Sequence, residues 1–367
     1  MTDAFAFIIH PIDTRRDISR KYPTLGKMPT WLLNLLSIIY PPVFISEIKG
    51  IRSQETGREI QGWFLACPLS PGLMLSLPPS LVYRKIVQTG RAAERLGARI
   101  LGLGAFTSVV GDGGITIAQQ LTIPVTTGDS LTIAMAVRAI EEAARRLHVP
   151  LNQATLAVVG AYGAIGRVAA QLLAPKVQQM ILIGRDPQRL ASAANDVRRA
   201  GGHQVNQTGD ISQLAQAHLV ITVTSAVDTI IRPEHLRPGA IVCDVARPRD
   251  VSRQVIEQRP DVLVIEGGMV EVPGPVDFGF DFGFPPKMAY ACMAETMALT
   301  LEQRYQSFTL GKEIQLSQVL AIDKIAERHG FRLGGFRSFE RAVTEAEIAH
   351  VIANSQLSLP GAAGPLA

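Results

Sequence analysis

At 367 residues the chain exceeds what one hydrophobic core usually serves, so two or more domains are expected. Hydrophobic residues make up 47% and charged residues 19%, which excludes a disordered or fibrous chain and describes a soluble globular enzyme. The net charge of +4 is small: it suits ordinary solubility, permits an acidic protein partner and suggests no nucleic-acid partner.

The N-terminal "MTDAFAFIIHPIDTRRDISRK" has no basic stretch ahead of an apolar one and no small-residue cleavage site, so it does not read as a signal peptide. Cys67, Cys243 and Cys292 lie far apart with no CxxC pair, which suggests neither a disulfide framework nor a zinc site and fits a reducing cytoplasm. The apolar run "TWLLNLLSIIYPPVFI" is broken by Asn34, Ser37 and two prolines, too short to span roughly 30 Å of hydrocarbon. At most it touches a lipid surface or an acyl chain.

"VFISEIKGIRSQETGREIQGWFLACPL" alternates like two strands joined through "SQETGRE", and "PSLVYRKIVQTGRAAERLGA" has the period of an amphipathic helix. Residues 1–125 thus read as an α/β region. Within it "GLGAFTSVVGDGG" carries Thr107 and Ser108, on either a loop facing a cofactor cleft or a turn between core elements. A linking helix is expected from an N-cap at Asp129 or Ser130 to His148, just before Pro150.

From Ala154 short apolar runs alternate with helix-length segments: "TLAVVG", "QMILIG", "HLVITVTS", "AIVCDVA" and "VLVIEGG". That pattern predicts βαβ units, hence a Rossmann-type parallel sheet domain over residues 126–284 including the linking helix. A C-terminal helical region over 285–367 follows, its helix begun by the prolines of "FPPK", with Cys292 about a turn and a half inside and "SLPGAAGPLA" as a flexible end.

The strand "TLAVV" runs into Gly160, Ala161, Tyr162, Gly163, Ala164, Ile165 and Gly166 and then a helix. Glycines at those steps permit a tight turn and close approach of a pyrophosphate to a helix N-terminus, as dinucleotide binding requires. The second strand ends in "GRDPQR" rather than in an acidic residue; Arg185, with Arg189 a turn later, favours a 2′-phosphate and hence NADPH, while Asp186 leaves a ribose contact open. Thr224 and Ser225, ending the third strand, either face the nicotinamide half or cap the strand.

Cys67 and Cys243 sit in apolar runs and read as inert, and by its local sequence Cys292 reads as a small core hydrophobe too. The seven histidines show no paired ligand spacing, so no metal site is expected, and His329 most simply ends a helix before Gly330.

Together "RDISRK", "PPVFISEI", "GREIQGWFLACPL", "GLGAFTSVV", "VTTGDSLTIA", "NQATLAVVGAYGAIG", "VLVIEGGMVEVPG", "AYACMAETMALTLE" and "ERHGF" resemble, in order and spacing, the long-chain acyl-[acyl-carrier-protein] reductases. The likeness covers about residues 15 to 331; Tyr162 stands where that family has a small residue. It implies NADPH-dependent reduction of an acyl-ACP or acyl-CoA thioester to a fatty aldehyde, with Cys292 as nucleophile and an acyl-cysteine intermediate. Thr107, Ser108, Thr126 and Thr127 become candidates for stabilising the oxyanion, and an aldehyde-deformylating oxygenase a candidate partner. The alternatives are a shikimate/quinate-type NADP dehydrogenase, whose Lys and Asp pair has no convincing match here, and a non-catalytic NADP(H)-binding sensor or scaffold.

Overall fold

The computed structural model describes residues 3–11, 13–226 and 228–357 and divides into two compact units, residues 1–131 with 270–332 and residues 132–269 with 333–367. The tail "SLPGAAGPLA" lies outside the described residues.

The first unit is built on a five-stranded sheet of β1 (Ala4–Ile9), β2 (Val43–Arg52), β3 (Glu59–Ala66), β4 (Leu101–Leu103) and β5 (Val125–Thr126), in the order β2-β3-β1-β4-β5. β3, β1, β4 and β5 run parallel; β2 is an antiparallel edge strand. The expected hairpin is therefore present, turning through residues 53–58. Side chains alternate across β1 as the pleat demands. Ala4, Ala6 and Ile8 join a core with Val82, Ile86 and Ala93 of α4 (Pro79–Leu96). Smaller helices complete the near half: α1 (Thr14–Lys21), α2 (Thr30–Ile39), α3 (Pro71–Ser76), α5 (Phe106–Val109) and α6 (Ile115–Gln119).

The second unit contains most of α7 (Asp129–Arg146) and a six-stranded parallel sheet. Its strands are β6 (Thr155–Val159), β7 (Gln179–Ile183), β8 (Gln204–Thr208), β9 (Leu219–Thr222), β10 (Ile241–Asp244) and β11 (Leu263–Glu266), ordered β11-β10-β9-β6-β7-β8. Counted along the chain this is the doubly wound order 3-2-1-4-5-6, with its switch point between β6 and β9. The expected α/β, Rossmann-type class is thus the observed one. α8 (Ala164–Leu173), α9 (Pro187–Arg199) and α10 (Arg253–Gln258) cross between strands, and α13 (Glu345–Leu357) follows near the end of the chain. The strand absent from the sequence reading is β8, "QVNQT": it is an edge strand with one buried side chain, so it lacks an apolar signature.

Two features of the C-terminal region differ from the sequence expectation. Residues 285–332 form no region of their own, because α11 (Ala291–Leu301) lies against β1, β3 and β4 and α12 (Leu316–His329) packs on α11. Close approach of α11 depends on Gly102, where a Cβ would fall 2.2 Å from Thr296 Oγ1 and 2.3 Å from the Phe7 ring. Second, the prolines do not begin the helix. Lys287 adopts φ +66° and its carbonyl accepts from Val272 N at 2.8 Å, and Met288–Tyr290 is a short strand, so helical geometry starts at Ala291. Cys292 is the second residue of α11, within its first turn.

Among the described residues no helix is long and apolar enough to cross a membrane.

Candidate functional site

The glycine loop of the second unit has the geometry a dinucleotide phosphate needs. Gly160 adopts φ +81°, and a Cβ there would lie 2.4 Å from Val223 O; at Gly166 it would lie 2.5 Å from Gly160 O. Neither position admits a side chain without moving backbone. Gly163 caps α8 in an extended conformation, leaving the N-terminus of that helix lined by Ala164, Ile165 and Gly166. Ala161 is buried and Tyr162 turns outward along Gly184, its ring 4.4 Å from the Arg189 guanidinium. Tyr162 thereby braces the end of β7.

The charged residues at the end of β7 differ in their surroundings. Asp186 is the N-cap of α9, accepting from Gln188 N at 3.0 Å and Arg189 N at 3.1 Å, so its carboxylate serves the helix. Arg185 is exposed, and no ion pair to it occurs among the described residues. Thr224 donates to Asp250 at 2.5 Å while its N–H donates to the same carboxylate at 2.9 Å, which ties its hydroxyl into the turn after β9. Ser225 beside it is exposed. Cys243 is buried on β10, its thiol pushed up to about 12 by desolvation.

In the first unit the candidate residues gather at the C-terminal ends of the parallel strands, where α/β sheets place ligands. After β4 the chain turns through Ala105 at φ 47°, ψ −122°, a conformation that L-residues rarely hold. Thr107 and Ser108 maintain this turn. Thr107 Oγ1 accepts from Gly104 N at 3.0 Å and donates to Gly104 O at 2.8 Å; Ser108 Oγ donates to Ala105 O at 2.6 Å. His10, just past β1, accepts from Phe106 N through Nε2 at 3.1 Å, and burial lowers its pKa. Cys67, just past β3, is buried with its thiol raised to about 11 by desolvation.

After β5 the chain runs "TTGDSL" to the first turn of α7 and is clamped by Glu295, one turn beyond Cys292 on α11. Glu295 is fully buried. Its Oε1 accepts from Thr126 Oγ1 at 2.5 Å and lies 2.8 Å from Thr309 Oγ1, its Oε2 accepts from Leu131 N at 2.9 Å, and Gly128 N–H also donates to the carboxyl. Desolvation raises the pKa of Glu295 and these donors oppose that rise. The clamp presses Gly128, at φ +78°, onto the nucleophile candidate: a Cβ there would fall 2.3 Å from Cys292 Cα and 2.5 Å from its Cβ. Glu295→Ala would strand the Thr126 hydroxyl and two N–H groups, of Gly128 and Leu131, in the interior. A loss of about 3–5 kcal/mol is expected, read as a lower urea midpoint at unchanged slope.

Cys292 itself keeps some exposed surface, while its thiol is desolvated beside the Asp129 and Glu295 carboxyls. Desolvation, then the negative charge of Asp129, push its thiol up to about 12, whereas the Met293 N–H at the helix start favours the thiolate. Asp129 is raised to about 7 by desolvation and by Glu295, and lowered by the neighbouring Thr127 hydroxyl. That hydroxyl is buried and makes no well-formed hydrogen bond among the described residues. Of the four oxyanion candidates, Thr107, Ser108 and Thr126 have hydroxyls engaged in short hydrogen bonds, whereas the Thr127 hydroxyl has, among the described residues, only the neighbouring Asp129 carboxyl to interact with.

Asp129, Glu295 and His10 were not read as site residues from the sequence. Asp129 presented itself only as a helix cap, and only the glutamate three residues after Cys292 carried a positional hint. His329 does end α12, but it is buried between Ser53 Oγ at 2.8 Å and Glu302 Oε2 at 2.9 Å, tying α12 to the β2–β3 turn.

Residues 141–266 match the family model described as shikimate / quinate 5-dehydrogenase, which covers the nucleotide-binding part. The chain is 31% identical over 303 residues to the aminotransferase PigE of a Serratia species, across 81% of this chain and 35% of that protein. It therefore spans about a third of that relative's length. It is 27% identical over 307 residues to the long-chain acyl-[acyl-carrier-protein] reductase of Synechococcus elongatus, across 80% of this chain and 87% of that one. Among solved structures, L-tryptophan dehydrogenase from Nostoc punctiforme aligns with 96% of this chain and 88% of its own at 12% identity, with a TM-score of 0.42. Strand order, glycine loop and family match agree that the second unit is a nicotinamide-dinucleotide-binding fold, the cofactor being NAD(P)H.

Proposed function

We propose that this protein is an NADPH-dependent reductase that converts a long-chain acyl thioester, carried by acyl carrier protein or coenzyme A, to the aldehyde through an acyl-Cys292 intermediate. The observation that carries the reading is Cys292 in the first turn of α11, with the Gly128–Asp129 corner held against it by Glu295. The similarity to the Synechococcus elongatus reductase over most of both chains supports it.

In this reading Asp129 takes the thiol proton as the sulfur attacks the thioester carbon. A cysteine–aspartate pair carries one negative charge before and after that transfer, so attack avoids placing two anions side by side. The acyl carbon–sulfur bond to the carrier breaks, and Asp129 returns the proton to the departing thiolate. Thr127 is the available hydroxyl donor for the developing oxyanion. When bound, NADPH supplies the hydride that releases the aldehyde.

Exposed Arg185 is the residue proposed to meet the 2′-phosphate. Arg185→Ala should weaken NADPH binding by about 10–100-fold and leave NADH binding within about twofold, measured by fluorescence titration.

The function is tested by incubating the protein with NADPH and a long-chain acyl-ACP or acyl-CoA. One aldehyde per NADPH consumed is expected; failure with both thioesters would contradict the reading. The shikimate/quinate-type alternative rests on the nucleotide-binding part alone, and would be favoured by NADP-dependent oxidation of a cyclic hydroxy acid.

A further inference from the structure

Helix α2 is apolar on both its inward and its outward side. Residues two apart on a helix point roughly 200° away from each other. Leu33 and Ser37 face the protein, Ser37 donating to Leu33 O at 2.8 Å, and Asn34 accepts from Thr14 at 3.3 Å. The opposite stripe is apolar and in solvent: Trp31 is 68% exposed, Leu35 55% and Ile39 74%. Tyr40 and Phe44 beyond it are also exposed. An amphipathic helix of a globular protein normally turns its apolar stripe inward. Here the inward side is apolar too, through Leu33 and Ile38, and a second apolar stripe is left in solvent, the last turn being anchored by buried Lys85, whose Nζ donates to Tyr40 O at 2.9 Å.

The charge beside this helix is equally uneven. Thr14–Lys27 carries five cations, Arg15, Arg16, Arg20, Lys21 and Lys27, against Asp17, a surplus equal to the +4 of the entire chain. The rest of the protein is neutral in sum. Arg15, Arg16 and Lys27 are exposed.

We propose that α2 is an interfacial helix that docks this protein on an anionic lipid surface, its Trp31–Leu35–Ile39 stripe entering the headgroup boundary and the exposed Arg15, Arg16 and Lys27 meeting lipid phosphates. A short helix with an uncharged aliphatic and aromatic face, a tryptophan and a tyrosine at its ends and adjoining cations has the pattern that lies in the membrane plane. An acidic carrier protein would satisfy the cations but not account for an outward stripe free of polar groups. This inference is independent of the reductase reading.

The test is co-sedimentation with vesicles of phosphatidylcholine alone and of phosphatidylcholine with phosphatidylglycerol. Binding at least tenfold tighter to the anionic vesicles is expected, weakened by raised salt. Trp31 provides a direct signal, because the second tryptophan, Trp63, is only 8% exposed; emission should shift to the blue on anionic vesicles. The variant W31A/L35A/I39A should lose binding at least tenfold while keeping its circular dichroism and thermal midpoint, and R15E/K27E should lose the preference for anionic lipid. Equal binding to both vesicle types, or unchanged binding by the triple variant, would overturn the proposal. So would a triple variant that loses only affinity for a carrier protein, or only self-association.

Discussion

Cys292→Ser is expected to reduce aldehyde formation from a long-chain acyl thioester by at least about 10³-fold while leaving NADPH affinity within about twofold. The substitution is nearly isosteric, and a hydroxyl can accept from the Met293 N–H that faces the sulfur. What disappears is a nucleophile able to ionise: a serine hydroxyl in the same desolvated spot, beside the Asp129 charge, has no comparable route to an anion. Separating the two measurements matters. A simultaneous collapse of NADPH binding would mark a folding defect, whereas undiminished aldehyde production would remove Cys292 from the chemistry.

Asp129→Asn should slow acyl transfer by about 10²-fold and at the same time make the protein more stable at pH 8. The sign follows from the raised carboxyl. Asp129 in the fold titrates at about 7 rather than near 3.8, so between those values the native state holds a proton that the unfolded chain has lost. Its contribution therefore falls as pH rises through that window and is a constant penalty above about 7. Asparagine has no such penalty. The variant should gain on the order of 1–2 kcal/mol at pH 8, after allowance for the partial exposure of Asp129, and nothing near pH 3. Urea unfolding at several pH values measures this. Single-turnover acylation supplies the second readout: in the wild type its rate should rise through about pH 7 as Asp129 ionises, and in the variant that step should be missing. A helix cap with no part in proton transfer would leave the pH profile unchanged.

The parts of this fold that were legible in sequence are those whose residues interact locally. Five of the six strands of the second sheet announced themselves because strands buried on both faces are continuous apolar runs, and the glycine loop because its backbone needs forbid side chains at Gly160 and Gly166. β8 stayed hidden because an edge strand needs little apolar surface. The start of α11 was misread for a different reason: two prolines are compatible with a helix start, and only the pairing of Lys287 with Val272 keeps the chain extended until Tyr290. That shift moved Cys292 from about a turn and a half inside a helix to its first turn.

The site was legible only as far as resemblance carried it. The clamp of Glu295 on Thr126, Gly128 and Leu131 joins segments more than 160 residues apart, and nothing local in "TTGDSL" or "ACMAE" reports that they meet. Hydroxyl-bearing residues were named as a set, and sorting them required knowing that Thr107, Ser108 and Thr126 already have partners. Asp129 changed from a cap to the proposed base once the packing of Gly128 on Cys292 was visible.

The central claim, that Cys292 takes the acyl group from a thioester, is tested most directly by mass spectrometry after incubation with long-chain acyl-ACP in the absence of NADPH. An adduct of one acyl group, confined to the peptide containing Cys292 and discharged as aldehyde when NADPH is added, is the predicted result. An unmodified protein, or an acyl group on Cys67 or Cys243 with Cys292 free, would contradict it.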